Sequence, residues 1–307
     1  MSRMLCVLML LPAMVWAQEP EVPLFNPDFD GDGCYGISDL TAVLCMFGEC
    51  GLMDGDASPQ FQPYVVGDSC YSAFDLVLFL SLFGTCDGPE LTWSCGDVLT
   101  HDGYGYNTVE IAGQCWFSEN LRSAHYTDGT PIETVTDAAV WSGLSSGATV
   151  IFGEGTGGCA ELSPLDACDE TVSLEAFGRL YNGYAVSDGR GLCPVGWHVP
   201  SDEDWTVLED VLDEMGYGGQ EGVALKTTSG WYNSGNGQDI VGFSGVPGGY
   251  RFRNNGVFLD AGASAYMWSS SPSGGELWFR YLNNGDLDMT RSDSDLRSGF
   301  SVRCILD

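Results

Sequence analysis

Apolar positions recur at helical spacing in two short stretches early in the chain. Leu40, Val43, Leu44 and Phe47 stand at i, i+3, i+4 and i+7, and Leu76, Phe79, Leu80 and Phe83 repeat the pattern. Gly48 and Gly84 suit the ends of these helices. The stretches belong to a duplication: Cys34, Tyr35, Asp39, Leu40, Leu44, Phe47, Gly48 and Cys50 recur as Cys70, Tyr71, Asp75, Leu76, Leu80, Phe83, Gly84 and Cys86. A further helix opens at Pro200-Ser201, where Ser201 caps with Asp204 three residues on. Trp205, Leu208, Leu212 and Met215 form its expected buried stripe, and Gly216 its end. Leu174 to Val186 reads as another helix. Elsewhere the period is two. Thr108 to Ala112 alternates as a strand, Gly113 turns it, and Gln114 to Phe117 returns. From Phe243 onward short strands alternate with turns, in YMWSSSP, ELWFRYL, DLDMT and GFSVRCIL. Ser123 to Thr171 is rich in Gly, Ser and Asp and reads as irregular loops.

Composition narrows the setting. The 307 residues allow two domains, and 44% hydrophobic with 18% charged residues argues against disorder. A net charge of -32 argues against nucleic acid and anionic membranes as partners. No Lys or Arg falls between Arg3 and Arg122, and Lys226 is the only lysine. At the start, Arg3, the apolar run Leu5 to Val15, and Val15-Trp16-Ala17 read as a secretory leader over residues 1–17. No later run is long enough to span a membrane. The expected location is therefore extracellular or at the cell surface. In that oxidising setting most of the 12 cysteines imply disulfides, and the absence of a C-x-x-C pair gives structural zinc little support.

The first copy of the duplication carries a cation-binding pattern. Asp28, Asp30 and Asp32 fall at positions 1, 3 and 5 of a calcium loop, Gly33 at the turn position 6, Cys34 offers a carbonyl, and Asp39 stands at position 12. In the second copy Tyr64 and Val66 replace the first two carboxylates, so one calcium ion is expected. An antiparallel pair of loop-helix units sets Cys34 against Cys86 and Cys50 against Cys70. Pairing within one unit would have to bridge a helix of ~10 residues, ~15 Å long, beyond a disulfide's reach. Cys45 is left as the free, buried thiol. Closeness in sequence pairs Cys95 with Cys115 and Cys159 with Cys168.

Residues 26–87, with this duplicated loop and helix, resemble a dockerin module, which implies a cohesin-like partner. The second domain, 95–307, resembles the Fibrobacter succinogenes major paralogous domain. The resemblance rests on VEIAGQCWFSENLR (109–122), GRLYNGYAV (178–186), LCPVGWHVPSDEDWTVLE (192–209), GFSGVPGGYR (242–251), WSSSP (268–272) and GFSVRC (299–304). It implies a secreted module with a C-type lectin-like fold. The expected fold class is therefore α+β: a small helical repeat pair, then a twisted antiparallel sheet with two helices and long loops. The same blocks frame Cys193 and Cys304 and imply that they pair.

Function is less legible. No G-x-S-x-G or H-E-x-x-H occurs, there are three histidines, and carboxylates are too abundant to single out a glycosidase pair. Trp197, Trp205 and Trp268 read as core. His198 could serve as ligand or base, but without a motif partner it reads as a hydrogen-bonded structural residue. The Glu-Pro-Asn, Gln-Pro-Asp and Trp-Asn-Asp elements of calcium-dependent sugar binding are absent. Loop aromatics Trp231, Tyr232, Tyr250 and Phe252 are candidates for a sugar-stacking or protein-binding face, or mere cover for the loops. Three readings stay open: a non-enzymatic binding or adhesion protein for a glycan or surface protein, an extracellular polysaccharide-degrading enzyme or its accessory subunit, and a structural surface protein.

Overall fold

Short strands dominate the computed structural model, which describes residues 93–156 and 162–307. It opens with two hairpins, β1 (Leu99–His101) with β2 (Tyr104–Tyr106), and β3 (Thr108–Ile111) with β4 (Gln114–Phe117). The second is the hairpin expected from its period of two. The segment expected to be irregular instead holds β5 (Glu133–Thr134), α1 (Ala138–Ser142) and β6 (Ala148–Ile151). All residues of β6 are buried, so it offers no polar alternation by which to be recognised.

The helix expected over Leu174–Val186 is also corrected. It resolves into α2 (Glu170–Phe177), β7 (Arg179–Asn182) and α3 (Gly183–Val186). Gly178 makes the break. Its φ is +73°, and a Cβ there would lie 2.8 Å from the Leu121 carbonyl oxygen, so only glycine lets the chain turn into the sheet at this point.

After β8 (Trp197–His198) comes α4 (Asp202–Leu212), opened by the expected capping box of Ser201 and Asp204. Trp205, Leu208 and Leu212 are buried, but Met215 is 48% exposed. The helix widens into a π-turn over Asp213–Tyr217, which moves Met215 off the buried stripe. Then follow α5 (Glu221–Leu225), β9 (Gly248–Arg251), β10 (Phe258–Ala261), β11 (Ser264–Ser273), β12 (Glu276–Asn283), β13 (Thr290–Ser294), β14 (Gly299–Phe300) and β15 (Ile305–Leu306).

Three sheets result. The largest runs β13-β12-β11-β9-β14-β7-β6-β5, with β10 also on β9, and the second runs β3-β4-β15-β8. The third is the β1-β2 hairpin. The large sheet is mixed, because β5 with β6 and β9 with β11 pair in parallel. The α+β expectation is thus overturned. The described residues form a mostly β unit with five short α-helices, and no helical repeat pair is among them. The duplicated module 26–87, its calcium residues Asp28, Asp30, Asp32, Cys34 and Asp39, and its cysteines lie outside the described residues. Among the described residues no helix is long and apolar enough to cross a membrane.

Two of the expected disulfides are present, Cys95–Cys115 and Cys193–Cys304. Cys168 is disulfide-bonded too, while its expected partner Cys159 lies outside the described residues. Trp197, Trp205 and Trp268 are buried, as the sequence suggested. The core also swallows three arginines, Arg251, Arg280 and Arg303. Arg251 donates to the carbonyls of Val135, Thr136 and Gly256, between the rings of Trp141 and Phe258. Arg280 bonds Asp202 and Glu209 at the start and middle of α4.

Candidate functional site: a tyrosine face on the large sheet

The pleat of β11 and β12 sorts their side chains onto two faces. Register pairs Ala265 with Leu282 and Met267 with Arg280 on the face that α4 covers. The other face carries Ser264, Tyr266 and Trp268, opposite Asn283, Tyr281 and Phe279. Tyr250 of β9 joins this second face. Its ring centroid lies 4.6 Å from that of Tyr266, which lies 4.7 Å from that of Tyr281. Phe300 stacks under Tyr266 at 5.0 Å. Phe252 meets Tyr250 edge-on at 6.3 Å. The three tyrosines and Phe252 are half-buried, so the rings are fixed by packing yet open to solvent.

Polar groups surround the rings. The Asn283 amide donates to the Tyr281 hydroxyl and to Ser264 Oγ. Lys226, buried, donates to the carbonyls of Asn283 and Asp286 at 2.8 Å each and so anchors the turn after β12. Asp260 approaches from β10. It is half-buried, and among the described residues no hydrogen bond or ion pair reaches its carboxylate. Burial alone raises its pKa above the ordinary value. Burial likewise pushes the Tyr250 hydroxyl up, reinforced by the Asp260 charge. Tyr266 rises further for the same first reason, with Tyr281, Tyr250 and Asp260 adding to it. These two phenols are therefore neutral donors at any physiological pH.

Local backbone geometry sets Asp260 in place. Between the register pairs Leu259↔Tyr250 and Ala261↔Gly248 lie Asp260 and Gly249, both with φ +64°. A Cβ at Gly249 would fall 2.4 Å from the Leu259 carbonyl oxygen, so glycine here lets β10 close on β9. A non-glycine residue held at positive φ beside a half-open face is the kind of strain that collects at functional sites.

The four aromatic candidates divide. Tyr250 and Phe252 lie together on the tyrosine face. Trp231 is corrected: it is 4% exposed, and its indole N–H is held by Thr227 Oγ1 and the Gly245 carbonyl, so it offers no face to a ligand. Tyr232 is 47% exposed on a short turn whose backbone bonds Gly262 and Asn284, next to the ends of β10 and β12. Tyr266, Tyr281 and Asp260 were not singled out from sequence. The alternation Y-x-W and F-x-Y in YMWSSSP and ELWFRYL was the available signal, since it places each pair on one face.

Residues 109–306 match the model of the Fibrobacter succinogenes major domain. The chain belongs to that family. No curated protein and no solved structure matches it. Neither the dockerin-like module nor the lectin-like fold finds a counterpart in these comparisons. In this Fibrobacter succinogenes major domain the whole tyrosine face lies inside the matched span.

Other polar clusters are accounted for by structure. Ser123, His125 and Asp102 come together, but the Ser123 hydroxyl and His125 Nδ1 both face the Asp102 carboxylate, at 2.8 and 3.0 Å. The His125 ring sits on the carboxylate rather than on the hydroxyl, so this is not the Ser-His-Asp relay of a nucleophile. His198 spans Asp307 at 2.7 Å and Asp204 at 3.1 Å, which is the structural role read from its sequence context. A cleft of about 240 Å³ is lined by Glu119, Asn120 and Arg303 among others, but the polar groups of these three residues are engaged with protein partners. Among the described residues no cluster of three or more metal-ligating side chains occurs.

Proposed function

We propose that the protein is a secreted, non-catalytic binding or adhesion protein that takes its ligand on the tyrosine face of Tyr250, Tyr266 and Tyr281. One observation carries this reading: three packed, half-open rings stand beside a carboxylate that has no hydrogen-bond or ion-pair partner among the described residues. Structural tyrosines turn their hydroxyls to protein partners when buried, and a structural carboxylate is paired. Here rings and carboxylate are left half-open together, an arrangement that a ligand with apolar faces and hydrogen-bonding edges would complete. The enzymatic alternative draws no support from the described residues, where no hydroxyl is hydrogen-bonded to a histidine ring. A calcium ion held by Asp28, Asp30, Asp32, the Cys34 carbonyl and Asp39 belongs to the same proposal as a stabiliser of the first module.

The test is a glycan and extracellular-protein array probed with the full chain and with the double variant Tyr250→Ala, Tyr281→Ala. Capture of one ligand class by the parent and its loss in the folded variant is expected. Equal capture by both proteins sinks the assignment of this face.

A further inference from the structure

We infer that the ligand of this face is an uncharged glycan, bound with its hydroxyls donating to Asp260 and its ring faces against the tyrosines. The inference rests on the tyrosine face being the ligand face, and it concerns the chemistry that the face selects.

Charge decides first. Among the described residues no cation pairs with Asp260. Lys226 is committed to two carbonyls, Arg280 and Arg291 are committed to Asp202 on the α4 side of the sheet, and Arg253 lies 3.4 Å from Ser294 Oγ, where its charge acts on Asp295. Asp260 thus stands as the local charge on the rings of Tyr250 and Tyr266, in a chain of net charge -32. Uronates, sulfated chains and acidic peptides would bring a second negative charge to a half-buried carboxylate.

Geometry then separates the two remaining classes. A cation could satisfy Asp260, and aromatic cages do hold organic cations. A cage needs rings set apart around a gap. Here Tyr250, Tyr266 and Tyr281 touch one another, at centroid separations of 4.6 and 4.7 Å and tilts of 51° and 41°. They leave no slot between them and form a continuous surface instead. The rings come from successive strands of the sheet, so the row extends over two strand spacings, about 9–10 Å. That suits a chain lying across the strands better than a single ammonium group. Neutral phenols and one acceptor carboxylate match the acceptors and donors of sugar hydroxyls. An aliphatic ligand would leave the carboxylate as starved as before.

The experiment uses the full chain and the variant Asp260→Asn. Asparagine keeps the shape and tolerates the positive φ, so the variant should fold. Binding is measured by calorimetry against three oligosaccharide sets of matched length: neutral, uronate-containing and glucosamine-based. The parent should bind neutral chains in preference to both charged sets. Asp260→Asn should weaken neutral binding by roughly tenfold or more, as for loss of a charge-assisted hydrogen bond. The same variant should melt at the same temperature as the parent or higher, because it relieves the burial of a charged carboxylate, and a merely structural residue would not combine both effects. Preference for uronate chains, preference for the cationic set, or neutral binding unchanged in Asp260→Asn overturns the inference. Those outcomes leave the tyrosine face standing if the Tyr250→Ala, Tyr281→Ala variant still loses its ligand. Retention of all binding in that double variant brings down the face itself.

Discussion

Replacing Arg303 with methionine would show what a fully buried cation contributes to this unit. Among the described residues the side chain has no carboxylate partner. Its Nε donates to Asn120 Oδ1 at 2.8 Å, Nη1 to the carbonyls of Phe117 and Phe243 at 2.9 and 2.8 Å, and Nη2 to that of Ser244 at 2.8 Å. It also lies over the Phe243 ring at 4.5 Å. Burial depresses its pKa to about 9. Methionine keeps much of the volume and the ring contact, so the cavity term is small. What it removes is the donor set, leaving four acceptors in the interior. An unpaired buried acceptor costs roughly 1–3 kcal/mol, and loss of the desolvated charge offsets part of that. The net expectation is a destabilisation of about 3–5 kcal/mol, a large share of a typical domain's stability. Urea unfolding followed by tryptophan fluorescence measures it, with Arg190→Met as control. Arg190 forms an exposed ion pair with Asp188, and its loss should leave the midpoint unchanged. A loss under about 1 kcal/mol for Arg303→Met would mean that the carbonyls find other partners, and the accounting would fail.

Three further outcomes are expected. Replacing Cys193 and Cys304 by serine opens a loop with a sequence separation of 111 and should destabilise the oxidised protein, by up to ~4.7 kcal/mol in the chain-entropy picture, read by the same unfolding assay. Lowering the pH from about 4 to 2 should reduce the urea midpoint. The Arg297 guanidinium holds Asp295 at about 2, and Arg291 with Arg280 lowers Asp202; such folded-state depressions stabilise above the unfolded carboxylate range and are lost as those groups protonate. Asp295→Asn should flatten part of that decline, and an unchanged slope would remove Asp295 from the account. Calorimetry on the full chain should find one calcium ion with Kd on the order of 10⁻⁴ to 10⁻³ M, abolished by Asp28→Ala with Asp32→Ala, and a stoichiometry near two would refute the single loop.

The parts legible in sequence were those with a local cause. The capping box at Ser201 and Asp204 announces α4, Gly113 announces the β3-β4 turn, and cysteines close in sequence or framed by family blocks announce their pairs. What escaped was set by tertiary contact. β6 is buried throughout, so its residues look like any apolar run. Gly178 resembles a helix interior until the Leu121 carbonyl is seen against it. The tyrosine face was half visible. Tyr250 and Phe252 stood out as loop aromatics, but Tyr266 and Tyr281 become neighbours only through the β11-β12 register, and Asp260 only through its turn with Gly249. Trp231 misled because a tryptophan beside glycine and asparagine reads as a loop until the fold closes over it.

The strands that complete both larger sheets come last in sequence, and this bears on how the protein is made. β14 sits between β7 and β9, and β15 between β4 and β8. Neither sheet can close until residues 299–306 have left the ribosome. The unit therefore cannot assemble stepwise from its amino-terminal side. Its contacts are dominated by distant pairings, the class of topology that folds slowly and exposes strand edges while it waits. Loss of those few residues would leave open edges in the middle of the sheets rather than a slightly shorter protein.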